Sequence, residues 1–240
     1  MINLILFGKP GSGKGTQAEF IKKKYDLIHI STGDVFRYNI SKQTDLGLLA
    51  KSYMEKGDLV PDNVTIQMLE AEVNKTPNAK GFIFDGFPRT TLQAEMLDEF
   101  LNSKNLSISM IIALEVDENI LIDRLINRGK ASGRADDQDR SKIQNRFEEY
   151  NKKTSTLINY YKSQNKFFEI EGIGEIDEIS QRLFNVIDLI IRSHQMTDKN
   201  VVIDIGLASD LLSKCIKVYN YKNLDDFELF SGIITTTEFM

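Results

Sequence analysis

A glycine-rich stretch near the N-terminus carries the clearest chemical signal, since residues 8–16 read GKPGSGKGT. It follows an apolar run and opens a segment with helical spacing of apolar residues, which is the setting of a phosphate-binding loop. Glycines let backbone N–H groups turn toward phosphate oxygens, and Lys14 adds a full positive charge to the partial charge of the helix N-terminus. Gly15 stands where a GTPase or ATPase usually carries the hydroxyl that binds its metal. We therefore predict a triphosphate site unlike that of an ordinary switch or hydrolase.

A second motif, DGFPR at residues 85–89, closes another apolar run. Because it ends a strand, we expect it at the same edge of the sheet as the glycine-rich stretch. Asp85 could hold the waters of a magnesium ion, which keeps several of its own waters in proteins. Arg89 could form a fork of hydrogen bonds with a phosphate group. The tight turn also predicts a cis peptide bond between Phe87 and Pro88.

Further arginines gather around two polar segments, residues 31–60 and 128–137, which interrupt the alternation of strands and helices. Such a set of cations suits a reaction that presses two anionic substrates together while charge spreads over a moving phosphoryl group. We expect both segments to be mobile and to flank the cleft. The arginines concerned are Arg37, Arg124, Arg128, Arg134 and Arg146.

The elements that must position these residues follow from five short apolar runs, at residues 2–7, 27–30, 81–84, 109–114 and 166–170. Runs of this length between turn residues predict buried strands. Segments with helical spacing lie between them, so the fold class is α/β, with a five-stranded parallel sheet covered by helices in a three-layer αβα arrangement. Ligands bind such sheets at the C-terminal edge of the strands.

Composition limits the remaining possibilities. The 240 residues are 41% hydrophobic and 27% charged, as in an ordinary globular protein, and the net charge of −5 disfavours a surface for nucleic acid or anionic membranes. The single cysteine, Cys215, rules out a disulfide framework and a zinc cluster made of several cysteines. No run resembles a secretion signal or a membrane span, so we expect a cytoplasmic protein without nucleic-acid or membrane partners.

The character of the chain changes near residue 193. We predict one catalytic domain over residues 1–192 and a C-terminal extension over residues 193–240, in which no chemical motif is found. Within the extension, residues 201–205 have the pattern of a strand and residues 209–219 that of a helix. We expect its apolar stretches to dock on the catalytic domain or on a second copy.

Over residues 1–192, these motifs in this order resemble the adenylate kinase family of nucleoside monophosphate kinases. The resemblance is also carried by STGDVFR at residues 31–37, DLV at residues 58–60, Gln93, and GRADD at residues 133–137. It implies a P-loop fold with a mobile NMP-binding segment at residues 31–60 and a short lid at residues 128–137. The implied activity is reversible, magnesium-dependent transfer of the γ-phosphoryl group of ATP to AMP, giving two ADP, as part of purine nucleotide homeostasis.

The resemblance also assigns site residues, as expectations. Lys14 would stabilise the transferred group, and Asp85, with Asp34 as a weaker candidate, would position hydrated magnesium. The ATP-binding residues would be Gly11, Ser12, Gly13, Lys14, Gly15, Thr16, Arg124, Arg128 and Gly174. The AMP-binding residues would be Thr32, Arg37, Asp58, Leu59, Val60, Gly86, Phe87, Pro88, Arg89, Gln93, Arg134 and Arg146. The catalytic set would be Lys14, Arg37, Arg89, Arg128, Arg134 and Arg146.

Asp136 and Asp137 would hold the arginines of the lid in place. The interval from Asp137 to Arg146 is one residue longer than in most relatives, so the assignment of Arg146 requires the following helix to absorb that residue. The lid lacks the inserted domain with metal-binding cysteines, and the resemblance therefore implies no structural zinc. We expect a monomer.

Base choice leaves an alternative open. In the family, Thr at position 32 and Gln at position 93 go with adenine, and a Gln amide offers the donor and the acceptor that match adenine. A kinase for UMP or CMP is the nearest rival, and acceptor preference would decide. More distant rivals are a nucleotide-dependent switch or hydrolase, and an inactive binding module whose extension recruits a partner.

For the other residues whose side chains could bind ligands or react, we predict structural roles. We predict structural histidines at His29 and His194, because no metal-ligating partner stands at a suitable spacing in the sequence. Cys215 is predicted to be a small packing residue, and Arg140 a solvated residue on a helix face. Lys22, Lys23 and Lys24 end the first helix, where cations complement its dipole.

Overall fold

The computed structural model describes residues 1–197, except for the side-chain surroundings of Ala135 and of residues 193–197. The expectations for residues 201–219, for Cys215 and for the side chain of His194 lie outside the described residues. Contacts divide the chain after Phe184, and the unit Met1–Phe184 contains the whole sheet and every predicted site residue. No described helix combines the length and the apolarity needed to cross a bilayer.

The predicted parallel sheet is confirmed. Its strands are β1 (Ile2–Phe7), β2 (Ile28–Ser31), β3 (Gly81–Asp85), β4 (Met110–Glu115) and β5 (Phe167–Glu171). β1 has the predicted bounds. β2, β4 and β5 each begin and end one residue later than predicted, and β3 ends one residue later. The strand order is β2-β3-β1-β4-β5, every neighbouring pair is parallel, and helices cover both sides. The sheet therefore presents the loops after β1 and β3 side by side at its C-terminal edge.

Nine α-helices connect and flank these strands among the described residues. They are α1 (Lys14–Tyr25), α2 (Thr32–Ser41), α3 (Asp45–Met54), α4 (Asp62–Asn74), α5 (Thr91–Ser103), α6 (Glu118–Ser132), α7 (Arg140–Glu149), α8 (Thr156–Lys162) and α9 (Ile176–Thr197). A short 3₁₀ turn spans Ala135–Asp137, and a π-helical turn spans Tyr150–Thr154 between α7 and α8. Such π turns insert one residue into a helix and often accompany functional sites.

The central strands are buried on both faces, as helices on both sides require. In β1, Leu4, Ile5 and Leu6 are at most 1% exposed. One core cluster joins Ile5 to Phe84 of β3 and Leu97 of α5. This packing holds the two loops at the edge of the sheet in a fixed relation to each other.

The two predicted mobile segments take different forms. Residues 31–60 contain α2 and α3 and form, together with Met68 of α4, a small core around Phe36, Ala50 and Val60. The segment predicted as a lid, residues 128–137, begins inside α6, whose C-cap is Gly133 with φ 69°, and continues into the 3₁₀ turn. The predicted lid is therefore the end of a helix and the turn after it, rather than a separate loop.

Candidate active site

The glycine-rich loop leads from β1 directly into α1. Gly13 caps the helix in a left-handed conformation with φ 98°, and no side chain caps the first turn. An added Cβ at Gly13 would meet nothing within 4 Å, so the backbone angle rather than lack of space explains the glycine. The first turn of α1 keeps unpaired backbone N–H donors, which is the arrangement that binds phosphate.

Lys14 lies under this loop. Its Nζ donates hydrogen bonds to Gly8 O at 2.6 Å and Lys9 O at 3.1 Å. Burial lowers the pKa of Lys14 to about 8, while the Asp85 carboxylate opposes that effect. The ammonium group is therefore charged at neutral pH, and it is bound to two carbonyl oxygens and, at 3.4 Å, to Ser12 Oγ, all neutral partners that a phosphate could replace.

Asp85 ends β3 on the opposite side of the loop, and its Oδ2 lies 3.8 Å from where a Cβ of Gly15 would stand. Burial would raise the pKa of Asp85, but His29 and Lys14 more than offset it, so the pKa lies below its ordinary value and the side chain is ionised. His29 lies between Glu19, at 3.2 Å from its Nδ1, and Asp85, at 3.5 Å from its Nε2. Burial lowers the pKa of His29, but the two carboxylates outweigh burial and raise it.

Arg89 follows a cis peptide bond between Phe87 and Pro88, as predicted. Its Nε donates to Gly86 O at 2.7 Å, and burial lowers its pKa to about 10, with the charge of Arg146 acting in the same direction. The carbonyl of Arg89 accepts a hydrogen bond from Thr154 Oγ1 at 3.1 Å. The π-helical turn thus contacts the backbone of the DGFPR motif.

Asp137 joins two arginines of the lid region. Its carboxylate has no exposed surface and accepts from Arg128 Nε at 2.6 Å, Arg128 Nη2 at 3.0 Å and Arg146 Nη1 at 2.6 Å. Arg146 also pairs with Asp136 at 3.1 Å. Arg146 therefore reaches both aspartates from within α7, despite the extra residue before it.

Arg134 pairs with a different aspartate, Asp34. Its Nη2 lies 3.2 Å from Asp34 Oδ1, which also accepts from Arg37 Nη2 at 2.5 Å. Burial would raise the pKa of Asp34, but the Arg37 guanidinium outweighs it and the pKa is lowered. Residues 31–60 are also joined to α7, where Asn145 Nδ2 donates to Lys56 O at 2.9 Å.

One cleft of about 680 Å³ collects most of the predicted residues. Its lining includes Gly11, Ser12, Gly13, Lys14, Gly15, Thr16, Arg37, Leu59, Asp85, Gly86, Phe87, Pro88, Arg89, Arg124, Arg128, Arg134, Arg146 and Gly174. Four predicted acceptor-site residues do not line it: Thr32, Asp58, Val60 and Gln93. Thr32 and Gln93 are each 2% exposed, because their side chains bond to the DGFPR motif instead.

The cleft also contains residues that the sequence did not single out as functional. His29, Glu149, Tyr150 and Thr154 line it. His29 points along β2 toward the end of β3, and the register that pairs Ser31 with Asp85 brings the two strands together there. The other three lie at the π-helical turn, and no local pattern distinguished them from the rest of a helix.

Seven lysine or arginine side chains and four carboxylates line the cleft, so positive charge is in excess there. Lys14 and Arg89 lie in its wall, the predicted lid adds Arg128 and Arg134, and α7 adds Arg146. Within a partly buried site, fixed cations stabilise developing negative charge without having to reorganise. The arrangement suits two phosphate-bearing ligands and can stabilise a phosphoryl group between them.

Comparison with known proteins agrees with this geometry. A family model described as adenylate kinase matches residues 6–166. Similar curated proteins include an adenylate kinase of Flavobacterium psychrophilum, 61% identical over 188 residues, which are 78% of this chain and 99% of that protein. Another, from Flavobacterium johnsoniae, is 58% identical with the same coverage. A third, from Parabacteroides distasonis, is 48% identical over 76% of this chain and 96% of its own length.

Proposed function

Because this chain belongs to the adenylate kinase family, we propose that it transfers the γ-phosphoryl group of ATP to AMP, reversibly, with Mg²⁺, giving two ADP. The observation that carries this proposal is the convergence of Lys14, Arg37, Arg89 and the lid arginines on one cleft beside a phosphate-binding loop. A hydrolase needs a residue that activates water. A charge-lined cleft between two nucleotide sites instead needs only positioning and charge stabilisation.

The donor binds at the glycine-rich loop. Backbone N–H groups of residues 11–16 receive the phosphates of ATP, and Lys14 exchanges its carbonyl partners for the transferred phosphoryl oxygens. Arg124 and Gly174, both in the cleft lining, contact the adenosine portion. The γ-phosphorus thereby comes to lie at the C-terminal edge of the sheet, facing the DGFPR motif.

The acceptor binds on the opposite side. Arg37 and Arg89 take the phosphate of AMP, while the backbone of Asp58, Leu59 and Val60 surrounds the nucleoside. An oxygen of that phosphate attacks the γ-phosphorus as the bond to the β-phosphate oxygen breaks. The bonding electrons leave with ADP, and no general base is needed because the attacking phosphate is already an anion at neutral pH.

The lid arginines complete the charge clamp. Arg128 and Arg146, held together by Asp137, and Arg134 lie over the transferred group when the lid closes. Closure excludes water, which would otherwise compete with AMP for the γ-phosphoryl group.

Asp85 fits the role of holding hydrated magnesium. Its carboxylate is ionised, borders the cleft and lies beside the phosphate loop. Carboxylate oxygens bind this ion in proteins, usually through its waters. When bound with ATP, the ion supplies neutralisation of phosphate charge. No set of three or more acidic, histidine or cysteine residues suited to a metal occurs among residues 1–197, and we propose that no structural zinc is used.

Adenine is the proposed acceptor base. Thr32 and Gln93 form the two family positions that go with adenine, and both are buried against the DGFPR motif in this structure. Binding of AMP therefore requires the Gln93 amide, which is 2% exposed, to become accessible to the base. We further propose that residues 1–192 act as a cytoplasmic monomer on free nucleotides in purine homeostasis, with residues 193–240 as an extension.

The test is ADP formation from ATP with AMP, UMP, CMP, GMP or no acceptor, with and without Mg²⁺. We expect rapid magnesium-dependent turnover with AMP. Lys14→Ala should reduce kcat by at least about 100-fold, the scale for removing one transition-state donor. Preference for UMP or CMP would contradict the adenine assignment, and turnover without acceptor would indicate a hydrolase. Absence of any turnover in the folded protein would favour an inactive binding module.

A further inference from the structure

The amide of Gln93 is held at both ends. Its Oε1 accepts from the backbone N–H of Arg89 at 2.7 Å, and its Nε2 donates to Asp62 Oδ1 at 2.6 Å. A backbone N–H can only donate and a carboxylate can only accept, so the amide has one satisfactory orientation. The oxygen faces the DGFPR motif and the nitrogen faces Asp62.

Asp62 is well placed to impose this orientation. It is the first residue of α4, after Pro61, and is half-buried. Its second oxygen lies 3.3 Å from Thr90 Oγ1, and that same hydroxyl accepts from the backbone N–H of Gln93 at 3.1 Å. The carboxylate is therefore fixed against the N-terminus of α5 on the side from which Gln93 projects.

The orientation of the Gln93 amide decides in which order its remaining donor and acceptor face a base. After its two internal bonds, the amide keeps one N–H and one lone pair. Adenine presents an acceptor at N1 beside a donor at its amino group. Hypoxanthine presents the reverse, a donor at N1 beside an acceptor at its carbonyl. Rotating the Gln93 amide by half a turn would exchange the base that it matches.

We propose that Asp62 is a specificity-determining positioning residue, whose carboxylate holds the Gln93 amide in the order that accepts AMP and rejects IMP. The proposal rests on the proposed contact between Gln93 and the acceptor base. Asp62 acts through Gln93 and does not touch the nucleotide. The rotated amide would lose its charge-assisted hydrogen bond to Asp62, and its oxygen would face a carboxylate oxygen.

The variant that tests it is Asp62→Asn in the full-length protein. An Asn side chain of the same shape can either accept or donate, so it removes one of the two restraints on the amide and leaves only the Arg89 N–H to disfavour the rotated orientation. We expect the ratio of kcat/KM for AMP to kcat/KM for IMP to fall about tenfold, the scale of one hydrogen bond to a charged group. KM for ATP should stay unchanged. A merely structural role of Asp62 would lower kcat/KM for both acceptors equally.

The matched control is Asp177→Asn. Asp177 also lies in the first turn of a helix, α9, and is exposed, so the variant removes the same charge from an equivalent position. It should leave the AMP to IMP ratio unchanged. Thermal unfolding is measured alongside, and if Asp62→Asn fails to fold, Asp62→Ser provides a shorter group that can also both donate and accept.

The variant Gln93→Ala tests the role of Gln93 separately from that of Asp62. If it leaves the AMP to IMP ratio unchanged, the proposed contact of Gln93 with the base is wrong, and the proposed role of Asp62 is wrong as well. If Gln93→Ala lowers the ratio but Asp62→Asn and Asp62→Ser do not, the role of Asp62 alone is overturned. A fall of the ratio in both Gln93→Ala and Asp62→Asn supports the proposal.

Discussion

Asp34 and Arg134 lie 100 positions apart in the sequence, yet Arg134 Nη2 donates to Asp34 Oδ1 at 3.2 Å. The pair joins the segment proposed to bind AMP to the segment proposed to act as a lid. Asp34 Oδ1 also pairs with Arg37, whose guanidinium is the proposed ligand of the AMP phosphate. A carboxylate thus occupies, in this structure, two cations that the reaction requires for phosphate.

Replacing Asp34 by Asn should open the ligand-free cleft. The Asp34 side chain is 58% exposed and that of Arg134 is 26% exposed, so solvent screens the pair and it contributes at most about 1 kcal/mol. We expect the ratio of open to closed molecules to rise by up to about fivefold. Energy transfer between dyes on cysteines introduced at the exposed Lys51 and Lys130, in a Cys215→Ser background, measures the change.

Asp45→Asn is the control, because it removes the same charge from the exposed start of α3 in the same segment. It should leave the distance distribution as in the parent protein. High salt should move the parent toward the Asp34→Asn distribution. An unchanged distance in Asp34→Asn would show that the pair does not hold the two segments together.

Asp137→Asn should lower both stability and turnover. The carboxylate is fully buried between Arg128 and Arg146, and its loss leaves two cations without their shared partner. The arginines keep some exposure, so we expect a loss of about 2 kcal/mol, below the range for a fully buried pair. Urea unfolding measures the loss. Turnover should fall as well, because both guanidinium groups lose the contact that orients them, and Asp139→Asn at the start of α7 serves as control.

The loss of stability at low pH should also depend on the Asp137 carboxylate. Burial would raise the pKa of Asp137, but Arg128 and Arg146 outweigh it and hold the pKa below its ordinary value. Its stabilising effect is therefore complete above the unfolded pKa of about 4 and is lost as the pH falls through the folded value. Unfolding free energies measured below about pH 5 should decline less steeply in Asp137→Asn than in the parent. Parallel declines would contradict this role.

The pH dependence of ATP use should report Lys14. Burial lowers its pKa to about 8 in the ligand-free protein, so the ammonium group loses its proton above that pH. We expect kcat/KM for ATP to fall with an apparent pKa near 8. The limb in kcat should lie at higher pH, because bound triphosphate favours the charged form. Coincident limbs in the two profiles would argue against Lys14 as their source.

Thr154→Val should weaken use of AMP. Thr154 is 5% exposed, and its hydroxyl donates to the carbonyl of Arg89. The isosteric valine leaves that carbonyl without this partner, at a cost of about 1 kcal/mol. We expect kcat/KM for AMP to fall about fivefold while KM for ATP changes little. Thr154→Ser retains the hydroxyl and should behave like the parent, and an equal loss in both variants would point to packing instead.

The local features of this protein could be predicted from sequence because their causes are local. Apolar runs of strand length identified all five strands to within one residue at each end. The spacing of glycines and Lys14 identified the phosphate loop, since a turn between a strand and a helix imposes its own residue types. Parallel strands end at a common edge, so the position of Asp85 near that loop also followed from the order of elements.

Contacts between distant segments could not be predicted in this way. The sequence indicated that Gln93 carries a donor and an acceptor, but only the packing of α4 on α5 brings the Asp62 carboxylate against its amide nitrogen. Likewise, His29 has no ligating neighbour in the sequence and meets Asp85 only across two paired strands. Residue type and local spacing decide which chemistry is available. The tertiary structure decides which groups meet, because hydrogen bonds and ion pairs act over a few ångströms and depend on how the elements pack.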